Sequence, residues 1–194
     1  MLPAAEISFE TLLGLRGIRQ FLVQRAMLPA RAEYRVMDLE KRVLFLVARN
    51  VAMDFRAHLK GNMDLTYSLE DPRGVLLGTF TTSFGQGWSG RGSLTFTLTD
   101  LIGRPSLSIA LHRGATGGIT ATAAFPDGRP MMQVQGNAIR HNFVIQDPAG
   151  GELARVHEDW VSVRDTYGLE IVGAIDPLYP IAFAILLEFE KTGR

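Results

Sequence analysis

From Gln20 onward, apolar and polar side chains alternate in short runs, each broken by a polar turn. The clearest run is Leu94-Thr95-Phe96-Thr97-Leu98-Thr99, with Leu94, Phe96 and Leu98 on one side and the threonines on the other. A repeat of two is the signature of a strand with one covered face. Phe21-Leu22-Val23-Gln24 reads as a first strand, and a unit of strand, turn and strand then recurs five times. The first copy places 34–37 and 43–47 around the turn Asp38-Leu39-Glu40-Lys41-Arg42. The second places 65–69 and 75–80 around Glu70-Asp71-Pro72-Arg73-Gly74. The third places 94–99 and 107–111 around Asp100-Leu101-Ile102-Gly103-Arg104. The fourth places 119–123 and 131–134 around Pro126-Asp127-Gly128-Arg129, and the fifth 142–145 and 153–156 around Asp147-Pro148-Ala149-Gly150-Gly151. Asp and Pro open such turns, and Gly supplies the positive φ that a hairpin needs.

The pattern changes once. From Ile181 to Leu187 every residue is apolar. Seven residues make about two helical turns, so a helix here has no polar face and must be enclosed. Asp176 suits the N-cap, and Pro177 or Pro180 suits the opening turn, where a missing N–H costs little. A transmembrane helix needs about 20 apolar residues. This run is bounded by Asp176 and two prolines on one side and by Glu188, Glu190 and Lys191 on the other, so it predicts a core helix. Half-apolar strands also need a covered face. Closing them into a barrel removes their edges and creates an interior for the helix to fill. The predicted fold is mainly β: an antiparallel β-barrel of about twelve strands enclosing one hydrophobic C-terminal α-helix.

Residues 1–19 stand apart as an N-terminal arm, with 20–194 as the barrel domain. Ser8 opens a helical segment carrying Phe9, Leu12, Leu13 and Ile18, weakened by Gly14 and Gly17. Arg16 and Arg19 alone are a thin basic face for a membrane-surface helix, so a packing arm or loose terminus is the expectation. Met1 to Gln20 also lacks the apolar stretch of a secretory signal. The expected location is cytoplasmic, at most peripheral to a membrane.

Composition narrows the function classes. The 194 residues suffice for one sizeable core, and 46% hydrophobic with 21% charged residues is an ordinary globular balance. A formal net charge of zero argues against a general nucleic-acid binder and against strong attraction to anionic lipid by charge alone. With no cysteine, disulfides, zinc-thiolate sites, thiol catalysis and S-acylation are excluded. His58, His112, His141 and His157 are scattered without metalloprotease spacing, and no G-x-S-x-G elbow occurs. The Gly-rich stretch Gly85-Gln86-Gly87-Trp88-Ser89-Gly90-Arg91-Gly92-Ser93 lacks the lysine of a phosphate-binding loop and reads as a connection. No cofactor and no catalytic residue is expected.

The last forty residues carry a resemblance. Val156-His157-Glu158-Asp159-Trp160 precedes Asp165-Thr166-Tyr167-Gly168-Leu169-Glu170-Ile171, then Asp176 and the apolar helix. That order, with the hairpins upstream, resembles the tubby C-terminal-like superfamily, and within it the LURP-one-related proteins and the phospholipid scramblases. The resemblance covers roughly residues 20–191. It implies a twelve-stranded barrel around the helix, and much less about activity. It also implies a function that ranges from phosphoinositide binding to calcium-linked lipid movement. The scramblase calcium segment has acidic residues two apart before its [YF]-G pair. Here Asp165 matches the second, while Val163 stands at the first. Asp165, Glu170 and Asp176 remain as calcium candidates, a poor set for an ion that takes six to eight oxygens.

Trp160 and Tyr167 are expected to flank the start of the helix and close the barrel end. Arg140, Arg155 and Arg164, with Trp160, form the candidate lipid- or anion-binding patch. Two readings follow: a non-enzymatic domain that binds phospholipid or a membrane surface, and an interaction scaffold that binds a protein or a small ligand.

Overall fold

The computed structural model describes residue 15 and residues 17–25, 33–49, 65–84, 93–99, 105–113, 118–137, 142–157 and 166–192. Twelve strands and one helix lie within them. The strands are β1 (Gln20–Arg25), β2 (Tyr34–Met37), β3 (Val43–Arg49), β4 (Leu65–Glu70), β5 (Leu76–Phe84) and β6 (Ser93–Thr99). They continue as β7 (Pro105–Arg113), β8 (Gly118–Ala124), β9 (Pro130–Asn137), β10 (Asn142–Gln146), β11 (Glu152–His157) and β12 (Thr166–Ile171). The helix is α1 (Leu178–Thr192). Each strand pairs antiparallel with its sequence neighbours, and β1 closes onto β12 through Phe21 opposite Leu169 and Val23 opposite Tyr167. The five predicted hairpins are β2–β3, β4–β5, β6–β7, β8–β9 and β10–β11, and the closed ring leaves no open edge to template aggregation.

Four hairpin turns share one geometry. In the second, the Asp71 carbonyl accepts from Gly74 N–H at 2.9 Å while Asp71 N–H donates to the Val75 carbonyl at 2.9 Å. The same pair of bonds recurs at Asp38 with Lys41 and Arg42, at Phe125 with Gly128 and Arg129, and at Asp147 with Gly150 and Gly151. This is a three-residue loop: a type I turn closed by a left-handed residue that forms a bulge. The ladder shifts by one beside each of these turns. Gly74, Gly128 and Gly150 hold the left-handed position at φ 86°, 82° and 89°. In the first hairpin, whose turn holds no glycine, Lys41 takes that position at φ 62°. The aspartates stitch the loops. Asp71 Oδ1 accepts from the N–H groups of Arg73 and Val75, and Asp147 Oδ1 from those of Ala149 and Gly151, each at 2.8 Å. The third turn, 100–104, lies outside the described residues.

Alternation places the core. On β8, Ile119, Ala121 and Ala123 face inward and Thr120 and Thr122 face solvent. The same phase on the other strands lines the lumen with Phe21, Phe45, Phe80, Ile109, Phe143 and their neighbours. α1 occupies that lumen, and Ile181 to Leu187 are all buried. Phe183 meets Phe143 edge to face, with centroids 6.0 Å apart and planes at 76°. Gly136 lies opposite Phe143 on β9, and a Cβ there would fall 2.1 Å from the Phe143 ring. The ring therefore occupies space that only glycine leaves free.

The five hairpins define one end of the barrel. β12 runs toward that end, so α1 enters the lumen there. Asp176 Oδ1 accepts from Leu178 N–H at 3.0 Å, with Pro177 in the first turn between them. The chain before β1 closes over the same place. Leu15 is fully buried, the Arg19 carbonyl accepts from Ile171 N–H at 2.7 Å, and the Arg19 guanidinium donates to the Gly173 carbonyl at 3.0 Å.

Candidate functional site

The lumen offers no chemistry of the acid–base kind. Its described wall is apolar apart from Tyr34, Tyr67, Tyr167 and Thr82, all buried, and the helix fills it with aliphatic and aromatic carbon. Thr82 Oγ1 donates to the Leu65 carbonyl at 3.3 Å. Any partner must therefore be met on the outer wall or at the ends.

On the outer wall the structure brings two sequence candidates together. Arg155 sits mid-strand on β11, directly opposite Glu170 on β12. Its Nε donates to Glu152 Oε1, its Nη2 donates to Glu152 Oε2 at 3.2 Å, and its Nη1 lies 3.8 Å from Glu170 Oε2. The Glu152 carboxylate, joined by Glu170, holds the Arg155 guanidinium above its ordinary pKa. One cation is thus matched by two anions, and Glu170, a calcium candidate in the sequence, faces a guanidinium. Beside this group His157 Nδ1 lies 3.3 Å from Asn142 Oδ1 across the β10–β11 pair. Asp176, another calcium candidate, caps α1 with its carboxylate.

Arg140, Arg164, Trp160 and Asp165 lie outside the described residues, as do His58, His141 and the stretch 85–92. Tyr167 does not flank the start of the helix as expected. It lies on the first half of β12, at the end of the barrel away from the hairpins, because β12 must cross the barrel before α1 begins. Its ring is buried against the lumen there.

The hairpin rim carries charged pairs that sequence reading treated only as turn chemistry. Arg42 Nε donates to Asp38 Oδ2 at 2.6 Å, Arg73 Nε to Asp71 Oδ2 at 3.2 Å, and Arg129 Nε to Asp127 Oδ2 at 2.6 Å. Each carboxylate grips its arginine from the side. Arg129 also lies over the Phe125 ring, 5.0 Å from its centroid. The Val75 N–H, then the N–H and guanidinium of Arg73, hold the Asp71 carboxyl below its ordinary value. The Arg129 backbone and side chain do the same for Asp127. The recurring D-x-R and D-x-x-x-R spacings in the turns were the available signal. Among the described residues no three His, Asp or Glu side chains group in a way that would hold a metal ion. No helix among them is long and apolar enough to cross a membrane.

The solved structures include an X-ray structure of a protein from Arabidopsis thaliana, similar at 13% identity with a TM-score of 0.48, over 91% of this chain and 93% of that one. No curated protein matches the chain. A family model described as LURP-one-related matches residues 19–188, from the residue before β1 to the buried stretch of α1. With that span, the chain belongs to the LURP-one-related family.

Proposed function

We propose that the protein is a non-enzymatic binding domain that works through its exterior, with phospholipid at a membrane surface as its first partner class. The observation that carries this reading is the filled lumen: Ile181 to Leu187 occupy the space where a barrel would otherwise hold a small ligand. What remains for recognition is surface, and that surface displays guanidinium groups suited to phosphate. Arg155, on the outer wall, and Arg140, Arg164 and Trp160 stay the proposed phosphate contacts. A second reading, a protein-binding scaffold, draws support from the two carboxylates that already neutralise Arg155.

Flotation of the purified protein with liposomes, with and without phosphoinositide and calcium and over a salt series, separates the two. Salt-sensitive flotation that weakens in Arg155→Ala supports the lipid reading at the wall site. Absence of flotation under every condition sinks it and turns attention to protein partners.

A further inference from the structure

The described residues include five large apolar side chains with high exposure: Leu39, Val75, Leu76, Val144 and Val172. Four of them are at the hairpin end. Leu39 is in the β2–β3 turn, Val75 and Leu76 are at the β4–β5 turn, and Val172 follows β12. In the ring β12, β1, β2, β3, β4 and β5 are consecutive neighbours, so these side chains share one arc of the rim. Leu39 and Val75 expose 50% and 57% of their surface. Scattered single apolar residues on a surface need no explanation, but a group on one edge does.

The charges on this arc are sorted by depth. The Asp38 and Asp71 side chains are 5% and 18% exposed, because they turn inward to hold loop N–H groups. Their arginines project: the Arg42 and Arg73 side chains are 74% and 88% exposed, each with Nε engaged by its aspartate. Lys41 is exposed beside them. Glu40 is the exposed carboxylate on the arc, and Arg42 Nη2 donates to it at 3.3 Å. The outermost layer is therefore apolar and cationic, with most of the anionic charge one layer beneath. That order matches an anionic bilayer, where phosphates lie outside acyl carbon. The chain's zero net charge does not register it, since the separation is by depth.

From this arrangement we infer that the β2–β3 and β4–β5 turns form a membrane-docking edge, in which Leu39, Val75 and Leu76 enter the interface of an anionic bilayer while Lys41, Arg42 and Arg73 meet lipid phosphates. This rests on the lipid reading above and moves the contact from the wall at Arg155 to the rim. It also fixes an orientation. The barrel axis stands toward the membrane, and the mouth through which α1 enters faces the lipid.

The chain has no cysteine, so single labels can be placed without background. Leu39→Cys and, as the wall control, Thr122→Cys on β8 are each coupled to an environment-sensitive fluorophore. They are then mixed with phosphatidylcholine vesicles with and without phosphatidylserine. The expected result is a blue shift at position 39 on phosphatidylserine vesicles alone, with none at 122. In unlabelled protein, Val75→Ser should weaken the partition about tenfold with the thermal midpoint unchanged, and Arg73→Glu about 30-fold with the β-sheet circular dichroism spectrum retained. Wild-type protein that binds neither vesicle overturns this inference and the lipid reading together. Binding that survives Val75→Ser and Arg73→Glu but is lost in Arg155→Ala overturns the rim alone and leaves the lipid reading in place.

Discussion

Lys41 sits where three equivalent hairpins place glycine. A left-handed conformation costs an L-residue about 1–2 kcal/mol, so Lys41→Gly should stabilise the fold, by about 1 kcal/mol after the entropy of the added glycine is offset. Gly74→Ala should cost a similar amount in the opposite direction, and urea denaturation of both variants checks the pair. The turn carboxylates predict the acid limb. Asp71 and Asp127 have folded pKa values below the ordinary one, so their contribution is complete above the unfolded carboxylate value, near ~4, and is lost as pH falls through the folded values. The thermal midpoint should be level above about pH 5 and drop in acid. Asp71→Asn and Asp127→Asn should each make that drop shallower. Most of this chemistry was legible in the sequence, because Asp, Pro and Gly announce a turn by their own preferences. Lys41 was not, since lysine has no preference for positive φ. Nor was the frame of the fourth turn, where Phe125 occupies the aspartate position and the acid moves to Asp127.

The elements were the best-specified level, because each carries its own period. Threonines alternating with leucines name a strand with two unlike faces, and seven consecutive apolar residues in α1 name a helix with none to spare. What periodicity cannot give is register. Arg155 and Glu170 are far apart in sequence, and nothing local to either predicts that β11 and β12 set them opposite one another. Of the candidate patch Arg155 is the described member, and Glu152 and Glu170 lie against it. Packing between elements gives two predictions. Phe183→Ala removes the edge-to-face contact with Phe143 and leaves a void at the barrel centre, which should cost about 3–5 kcal/mol. Gly136→Val forces the Phe143 ring aside and should cost about 1–3 kcal/mol. Because the two act on one ring, combining Gly136→Val with Phe143→Leu should recover part of the loss, which chemical denaturation of the double mutant tests.

At the scale of the whole molecule, barrel and helix are one object. Among the described residues α1 is the filling of the barrel, and its stretch Ile181 to Leu187 has no polar side chain to show to water. A chain lacking residues 178–192 should give no cooperative thermal transition, as judged by circular dichroism and calorimetry. The ring is sealed by the pairing of β1 with β12, its first strand with its last. That seam dictates an order of events during synthesis. While the ribosome is still making β11, the chain holds a curled sheet with two raw edges and an uncovered apolar face, and neither closure nor filling can begin. Both arrive with the final stretch of the domain. Until then the nascent protein is in the state most exposed to chaperones and to mispairing with its neighbours.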